Sequence, residues 1–483
     1  MIDMRPVGYV IGLLVATLGL TMIGPLVADL AAGNGHWPVF LESGVITVMA
    51  SGLVALACAN GVTSGGLDLR QTFLLTSLVW IALPAFGALP FILGATEARF
   101  VDAFFEAMSG ITTTGSTVLS GLDTIPQGLL LWRGILQWLG GIGIIVVAMV
   151  FLPELKVGGM QVFRSEGFDT MGKILPRAAE IASSISVIYV GLTFVCALAY
   201  VIAGMTPFDS VVHAMTTVAT GGFANSDASF GAYGAGVHYV GAAFMFLAAL
   251  PFVRYVQLVS GTARPLFRDE QVRGFFLALA VTVIAIALSL AYTTHGFTEV
   301  AFREALFNVI SIMSGTGYAS ADYMQWGAFC ITVFFFIGLI GGCAGSTSCS
   351  VKVFRYQILF TSIRAQIRLI HTPHGVFKPR YAGRVVADDV LNSVMAFFVV
   401  FLVSIGVVAI ALSMTGLDII TSVSGAATAI ANVGPGLGSE IGPAGNFGGL
   451  NDAAKWILCF AMFAGRLELM VVLVLFTARF WRN

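Results

Sequence analysis

Ten stretches of this chain are apolar over 22 to 25 residues each: 7–30, 38–60, 71–93, 129–152, 180–204, 237–261, 274–295, 327–351, 391–415 and 455–478. A helix needs about 20 such residues to cross the hydrocarbon of a bilayer. Ten of them cannot be hidden inside one soluble domain. The polar residues agree, since charged side chains make up 10% of the 483 residues against about 25% in a soluble protein. Soluble enzyme, DNA binder and disordered scaffold are excluded, and a net charge of −1 points to no nucleic-acid partner. The expected fold is an all-α polytopic membrane protein with ten transmembrane helices. The N-terminal MIDMRP enters the first stretch without a small-residue cleavage site, so it reads as a span rather than a signal peptide. The 6 cysteines show no CxxC spacing, and neither a disulfide framework nor a zinc site is expected.

Lys and Arg are retained on the cytoplasmic side of a membrane, and here they segregate. Nineteen of the 24 fall in one set of connections, from Arg5, Arg70 and the group Lys156, Arg164, Lys173, Arg177 to Arg479 and Arg482. The opposite side keeps Arg99, Arg133, Arg303 and Lys455, with Arg466 inside a span. Both termini are therefore expected in the cytoplasm, which an even number of spans satisfies.

Four of the outward connections contain a second apolar segment too short to span: Asp102-AFFEAMSGITTTGST, Asp209-SVVHAMTTVATGGFA, Glu304-ALFNVISIMSGTGYA and Thr421-SVSGAATAIANVGPG. Such lengths suit re-entrant helices. In each, an acidic or hydroxyl residue able to cap or complement a helix start precedes a glycine by 13 positions. The glycines, Gly115, Gly222, Gly317 and Gly434, are 107, 95 and 117 residues apart. The chain then divides into an N-terminal two-span hairpin (1–66) and four pore repeats (67–178, 179–270, 271–386 and 387–483). Each repeat is span, short helix, glycine turn, span. With two spans per repeat all four share one orientation, which predicts a pseudo-fourfold axis along the membrane normal, unlike an inverted repeat.

Four short helices entering from outside aim their C-terminal ends, which carry partial negative charge, at one axis. The turns that follow are Thr113-Thr114-Gly115, Thr220-Gly221-Gly222, Gly315-Thr316-Gly317 and Asn432-Val433-Gly434. They hold no Lys, Arg, Asp or Glu. Non-helical backbone at membrane depth is tolerated where it lines water or packs in protein, and its carbonyl oxygens can replace an ion's hydration shell. A dehydrated monovalent cation is the natural ligand. One glycine turn alone would signify only close packing; four in register signify a filter.

Two features depart from the repeat. The span near 327–351 contains Gly341-Gly342-Cys343-Ala344-Gly345-Ser346-Thr347 followed by Ser348-Cys349-Ser350. This reads as an unwound segment across the pathway, a movable gate, or else as a small-residue packing face. Arg466 lies mid-span, where a charge is expensive and functional by default. It either raises a barrier to a cation beneath the filter or pairs with Glu468, Glu106 or Asp102. His213 is expected to make a structural hydrogen bond, with Glu106 and Asn308 at equivalent positions behind the turns. Arg355 to Arg384 form a basic stretch that either docks a cytoplasmic partner or enforces topology. Enzymatic signatures (HExxH, GxxxxGK[ST], GxSxG) are absent from the sequence. Transport energy must come from an ion gradient or another subunit.

The stretches ILQWLGGIGIIVVAMVFLP (135–153), GGCAGST (341–347), ANVGPGLG (431–438) and AKWILCFAMFAGRLE with LVLFTARFWR (454–482) resemble the TrkH-type potassium uptake proteins of the Trk/Ktr/HKT superfamily. The resemblance covers essentially the whole chain. It implies a bacterial inner-membrane subunit that translocates potassium, without an organic cofactor of its own. It further implies a homodimer regulated by a cytoplasmic TrkA-type ring that binds NAD and ATP. The family's filter glycines carry over to Gly115, Gly222, Gly317 and Gly434, its gating loop to 341–350, and its pore arginine to Arg466. Ser348, Cys349 and Ser350 depart from the further glycines usual in that loop, which bears on how easily it opens. A sodium-selective or non-selective pathway of the same architecture, channel-like or coupled to protons or sodium, is the nearest alternative. A secondary transporter for an organic solute is a more distant one.

Overall fold

The computed structural model describes residues 3–61, 67–146, 178–293 and 296–482. Seven of the ten expected spans are continuous helices long and apolar enough to cross a membrane: Arg5–Ala32, Trp37–Gly61, Leu69–Leu93, Gln127–Ile145, Ala182–Ile202, Glu270–Thr293 and Asp388–Met414. Their apolar side chains face outward as well as inward. Leu56 and Ile202 are more than 70% exposed, which is the pattern of a surface solvated by lipid rather than water. The end of the expected span 129–152 lies outside the described residues, as do Lys156, Arg164, Lys173 and Arg177.

The other three expected spans break. The stretch 237–261 is two helices, Ala235–Ala248 and Phe252–Val259, bent by 92° at Leu250-Pro251. Proline has no N–H to continue the ladder, so the helix ends before it. The stretch 327–351 is helical only over Ala328–Ile337, and the chain resumes a helix at Val353–His371. The stretch 455–478 is helical over Asp452–Arg466 and Met470–Leu475. Between those two, Glu468 and Leu469 take positive φ of 63° and 33°. The break in 327–351 falls at the glycine-rich segment expected to be unwound, whereas the other two lie between stretches that remain apolar on both sides.

The four short helices are present as Phe100–Ile111, Pro207–Val218, Glu299–Ser314 and Ile419–Ala431. Thr206, Thr298 and Asp418 cap the starts of the second, third and fourth by accepting backbone N–H groups. In all four, the residue 13 positions before the glycine is therefore not the cap, and Asp209 lies in the first turn behind Thr206. Asp102 lies in the first turn of its helix, which has no side-chain cap. Thr421 lies in the first turn behind Asp418. Glu304 lies deeper, because its helix begins at Glu299.

The N-terminal helices Arg5–Thr21 and Trp37–Cys58 pack closely. A Cβ on Gly12 would lie 2.8 Å from Ser51 O, so the small residues let the backbones meet. Buried Asp29 accepts the Gly128 N–H at 2.7 Å and pairs with His36 at 2.9 Å, which fixes this hairpin to the helix Gln127–Val146.

Candidate pore and its inner loop

Each short helix ends in the same way. The N–H groups of Thr113, Thr220, Gly315 and Asn432 donate to the carbonyls three residues back, at Gly110, Thr217, Ile312 and Ala429. Those of Thr114, Gly221, Thr316 and Val433 donate five residues back, to Ser109, Thr216, Ser311 and Thr428. This is the double bond of a Schellman cap, which requires left-handed backbone at the first of these positions. Thr113, Thr220, Gly315 and Asn432 have φ of 52°, 49°, 78° and 52°. Two residues later the chain is left-handed again, with φ of 89°, 83°, 87° and 95° at Gly115, Gly222, Gly317 and Gly434.

The four glycines close a ring. A Cβ on Gly115 would lie 2.3 Å from Gly221 O, on Gly222 1.9 Å from Thr316 O, on Gly317 2.1 Å from Val433 O, and on Gly434 3.0 Å from Thr114 O. Each turn thus abuts the next in chain order, and the fourth meets the first. All four glycines line a cavity of about 500 Å3 that also borders Ser116, Thr117, Arg133, Asp227 and Glu440.

The strand leaving each turn is held by its own short helix. The N–H three residues past the glycine donates to Glu106 (from Val118, 3.0 Å), His213 (from Asn225, 3.4 Å), Asn308 (from Ser320, 3.1 Å) and Ser424 (from Leu437, 2.9 Å). Four chemically different acceptors do one job. His213 makes the structural bond expected of it, its other ring nitrogen facing Asp209 O at 2.8 Å. Glu106 is buried and pairs with Arg133 at 2.8 Å. Arg133 also donates to Ala224 O at 2.7 Å, tying the first turn's support to the second turn's exit. Asn432 donates to Thr114 Oγ1 and Ser116 to Gly434 O, at 2.9 and 2.8 Å.

The segment 338–352 runs beneath the turns. Gly341 and Val351 lie side by side, the Gly341 N–H donating to Val351 O at 2.9 Å. The Cys343 N–H reaches Ala249 O, Ala344 N–H reaches Gln271 Oε1, Gly345 O accepts from Phe252 N–H, and Thr347 donates to Ala248 O. The loop is therefore anchored on the bend between Ala235–Ala248 and Phe252–Val259. Gly342 N–H donates to Ser348 Oγ at 2.7 Å, Ser346 Oγ to Cys343 O at 2.6 Å, and Ser350 Oγ to Gly338 O at 3.0 Å. Lys352 donates to Ser348 O.

Cys349 reaches furthest toward the turns. Its sulfur is 3.6 Å from Thr113 Oγ1 and contacts a guanidinium nitrogen of Arg466, whose other terminal nitrogen donates to Gly140 O at 3.1 Å. Arg466 is 4% exposed. None of the three carboxylates proposed as its partner pairs with it: Glu468 pairs with Arg355, Glu106 with Arg133, and Asp102 with Lys455 and Arg99. Its Nε has no hydrogen-bond partner. Ser346, Cys349, Lys352, Asn432, Arg466 and Glu468 line a second cavity of about 40 Å3. Of the residues singled out from sequence, the twelve of the turns meet at the ring, and Cys349 and Arg466 meet beneath it. The supporting bonds of Arg133 and Ser116 carry no signal in the sequence, and that of Gln137, which donates to Gly221 O at 2.6 Å, is marked only by a polar residue inside the span 129–152.

The family model described as TrkH, cation transport protein, matches residues 36–483. The Trk system potassium uptake protein TrkI of Halomonas elongata is 48% identical over 416 residues, 86% of this chain and 84% of that one. The Trk system potassium uptake protein TrkH of the same organism is 37% identical over 487 residues, covering 100% of both chains. The crystal structure of the potassium transporter TrkH from Vibrio parahaemolyticus superposes with a TM-score of 0.90 at 32% identity, covering 100% of both chains.

Proposed function

The chain belongs to the TrkH family of cation transport proteins, and from that premise we propose that it carries potassium into the cell through the ring of four glycine turns. The family is one of transporters rather than enzymes. The observation that supports the pathway most directly is the closed ring, each glycine facing the carbonyl of the next turn. Alternating left-handed residues at Thr113 and Gly115, and at their three counterparts, let successive carbonyls turn toward one side. Their oxygens would replace the hydration shell of a potassium ion entering from the outer cavity. The C-terminal ends of four short helices add negative potential there. The division into an N-terminal hairpin and four pore repeats belongs to the same reading.

Beneath the ring, Gly341, Gly342, Cys343, Ala344, Gly345, Ser346 and Thr347 form the gate together with Arg466. A cavity of about 40 Å3 has room for about three waters, too few for a hydrated ion to pass, so this conformation is closed. Arg466 adds an electrostatic barrier that is strong because its surroundings are of low dielectric. Opening requires the loop to leave its anchor on Ala248 and Ala249. We assign that movement to a cytoplasmic TrkA-type nucleotide-binding ring acting on a homodimer in the inner membrane, with both termini cytoplasmic. The exposed basic side chains from Arg364 to Arg384 are the surface it would reach.

The test is radiotracer cation uptake into proteoliposomes holding the purified chain, with potassium, rubidium, sodium or choline as competitor. Inhibition by potassium and rubidium alone is expected. Equal inhibition by sodium would leave the pore but remove its selectivity, and uptake indifferent to all four would remove the pathway.

A further inference from the structure

Gln137 is buried in the helix Gln127–Val146, and its carboxamide straddles Gly222. The nitrogen donates to Gly221 O at 2.6 Å, and the oxygen accepts the Phe223 N–H at 3.0 Å. The two partners fix the orientation of the amide, since a carbonyl can only accept and an N–H only donate. The amide lies flat against Gly221: a Cβ there would sit 2.3 Å from both Cδ and Oε1 of Gln137. Gly221 thus lacks a side chain where this contact needs the space. Gly222 meanwhile faces Thr316 O of the next turn.

Four equivalent oxygens face the ring glycines, those of Thr114, Gly221, Thr316 and Val433. Among the described residues only Gly221 O accepts a protein hydrogen bond. One of four oxygens is therefore held from behind by a helix of the first unit, while its three counterparts accept no such bond among the described residues. A bond to that oxygen draws its lone-pair density away from the axis and sets its distance from it. The number and field strength of the carbonyls are what distinguish potassium from sodium in such a site.

We infer that Gln137 is a positioning residue of the filter, setting ion selectivity through the two peptide groups that flank Gly222. The inference rests on the reading of the turns as the filter. It concerns how selectivity is set, not whether the pathway conducts.

The experiment is rubidium uptake by potassium-depleted cells that lack other uptake systems and express the full chain. Potassium and sodium serve as competitors, and the reading is the ratio of their half-inhibitory concentrations. Gln137→Leu removes both bonds. Gln137→Glu keeps the acceptor for Phe223 N–H but sets an oxygen against Gly221 O. Gly221→Ala pushes the carboxamide away without changing residue 137. All three are expected to lower the sodium-to-potassium ratio roughly fivefold to tenfold, the scale of one or two lost buried hydrogen bonds. Maximal uptake is expected to be retained in the two Gln137 variants, whereas Gly221→Ala alters the filter itself and is read by the ratio alone. Gly222→Ser is measured alongside.

If Gly222→Ser lowers the ratio while the three variants that reach the membrane leave it unchanged, the inference falls and the filter stands. If Gly222→Ser also leaves it unchanged, the filter reading falls first. A loss of maximal uptake with a constant ratio would make Gln137 a purely structural residue and overturn the inference. Should Gln137→Leu fail to reach the membrane, the Gln137→Glu and Gly221→Ala results decide.

Discussion

A Cβ at Gly222 or Gly317 would come within 1.9 or 2.1 Å of a neighbouring carbonyl oxygen, but at Gly434 it would stop at 3.0 Å. Contacts under that last value cannot be met without moving backbone, and all three positions are left-handed as well. The four glycines are therefore not equivalent. Gly222→Ser and Gly317→Ser are expected to reduce potassium-over-sodium selectivity about tenfold, a change of about 1.4 kcal/mol, and Gly434→Ser distinctly less. Competition uptake measures the order, and equal effects at all three would separate selectivity from the packing of the ring. Arg466 is the other residue whose surroundings decide its effect. No carboxylate pairs with it, so Arg466→Ala should raise basal flux severalfold by removing a barrier. Lost flux at normal expression would instead make the arginine an anchor between Gly140 and the loop. These positions were legible because a left-handed turn or a mid-span charge leaves few residue types to choose from. Gln137 was not, since a single amide in an apolar helix is equally at home packing against another helix.

The loop 338–352 and the short helices act as units. In the loop, Ser348 and Cys349 supply the contacts to Gly342, Thr113 and Arg466 that glycines could not. A buried hydrogen bond contributes about 1 kcal/mol, so the double variant Ser348→Gly/Cys349→Gly is expected to increase regulator-free leak about tenfold or more. Proteoliposome flux without a cytoplasmic partner is the readout, and unchanged leak would place the barrier elsewhere. The fourth short helix begins at Asp418, whose carboxyl is held below the usual carboxylate range by the Thr421 hydroxyl and the N–H groups of Thr421 and Ile420. A depressed folded pKa contributes stability that is full above the unfolded value near 3.9 and is lost as pH falls through the folded one. Asp418→Asn should keep the cap and flatten that acid limb of the thermal-stability profile. Asp418→Ala should cost about 1 kcal/mol at neutral pH. The existence of both elements could be read from the interrupted repeat. Their ends could not, because a residue three positions past the cap looks much like the cap itself, as Thr421 behind Asp418 shows.

At the scale of the molecule, a ring of four units in chain order must bring its last unit back to its first. The period of the glycines points to four turns of one kind, which meet in the ring. It could not foretell the residues that close them, because those lie hundreds of positions apart. Closure rests on Asn432 to Thr114, Ser116 to Gly434, and Phe447 N–H to Thr117 O at 2.8 Å, with an ionic clasp above them. In that clasp Lys455, 1% exposed, reaches Asp102 at 2.6 Å and Gly448 O at 2.9 Å, while Arg99 bridges Asp102 and Asp452. Removing one partner of a buried pair leaves the other without its compensation and is strongly destabilising. Arg99 remains to hold Asp102, so Lys455→Met should cost about 2 kcal/mol, below the range for a fully abandoned charge. Asp102→Asn should cost a similar amount by leaving the ammonium without a counter-charge, held only by neutral oxygens. If the clasp closes the ring, the double variant will be less destabilised than the two single losses added, with a coupling of about 1 kcal/mol or more. Melting of the detergent-solubilised protein in a four-member cycle measures this, and strict additivity would mean that the first and fourth units are joined by their turns alone. Selectivity should follow the same cycle. The clasp joins the short helix of the first turn to the helix Asp452–Arg466 that follows the fourth, so a ring opened at this seam would release Thr114 O from Gly434 before it disturbs the Gln137-held second turn.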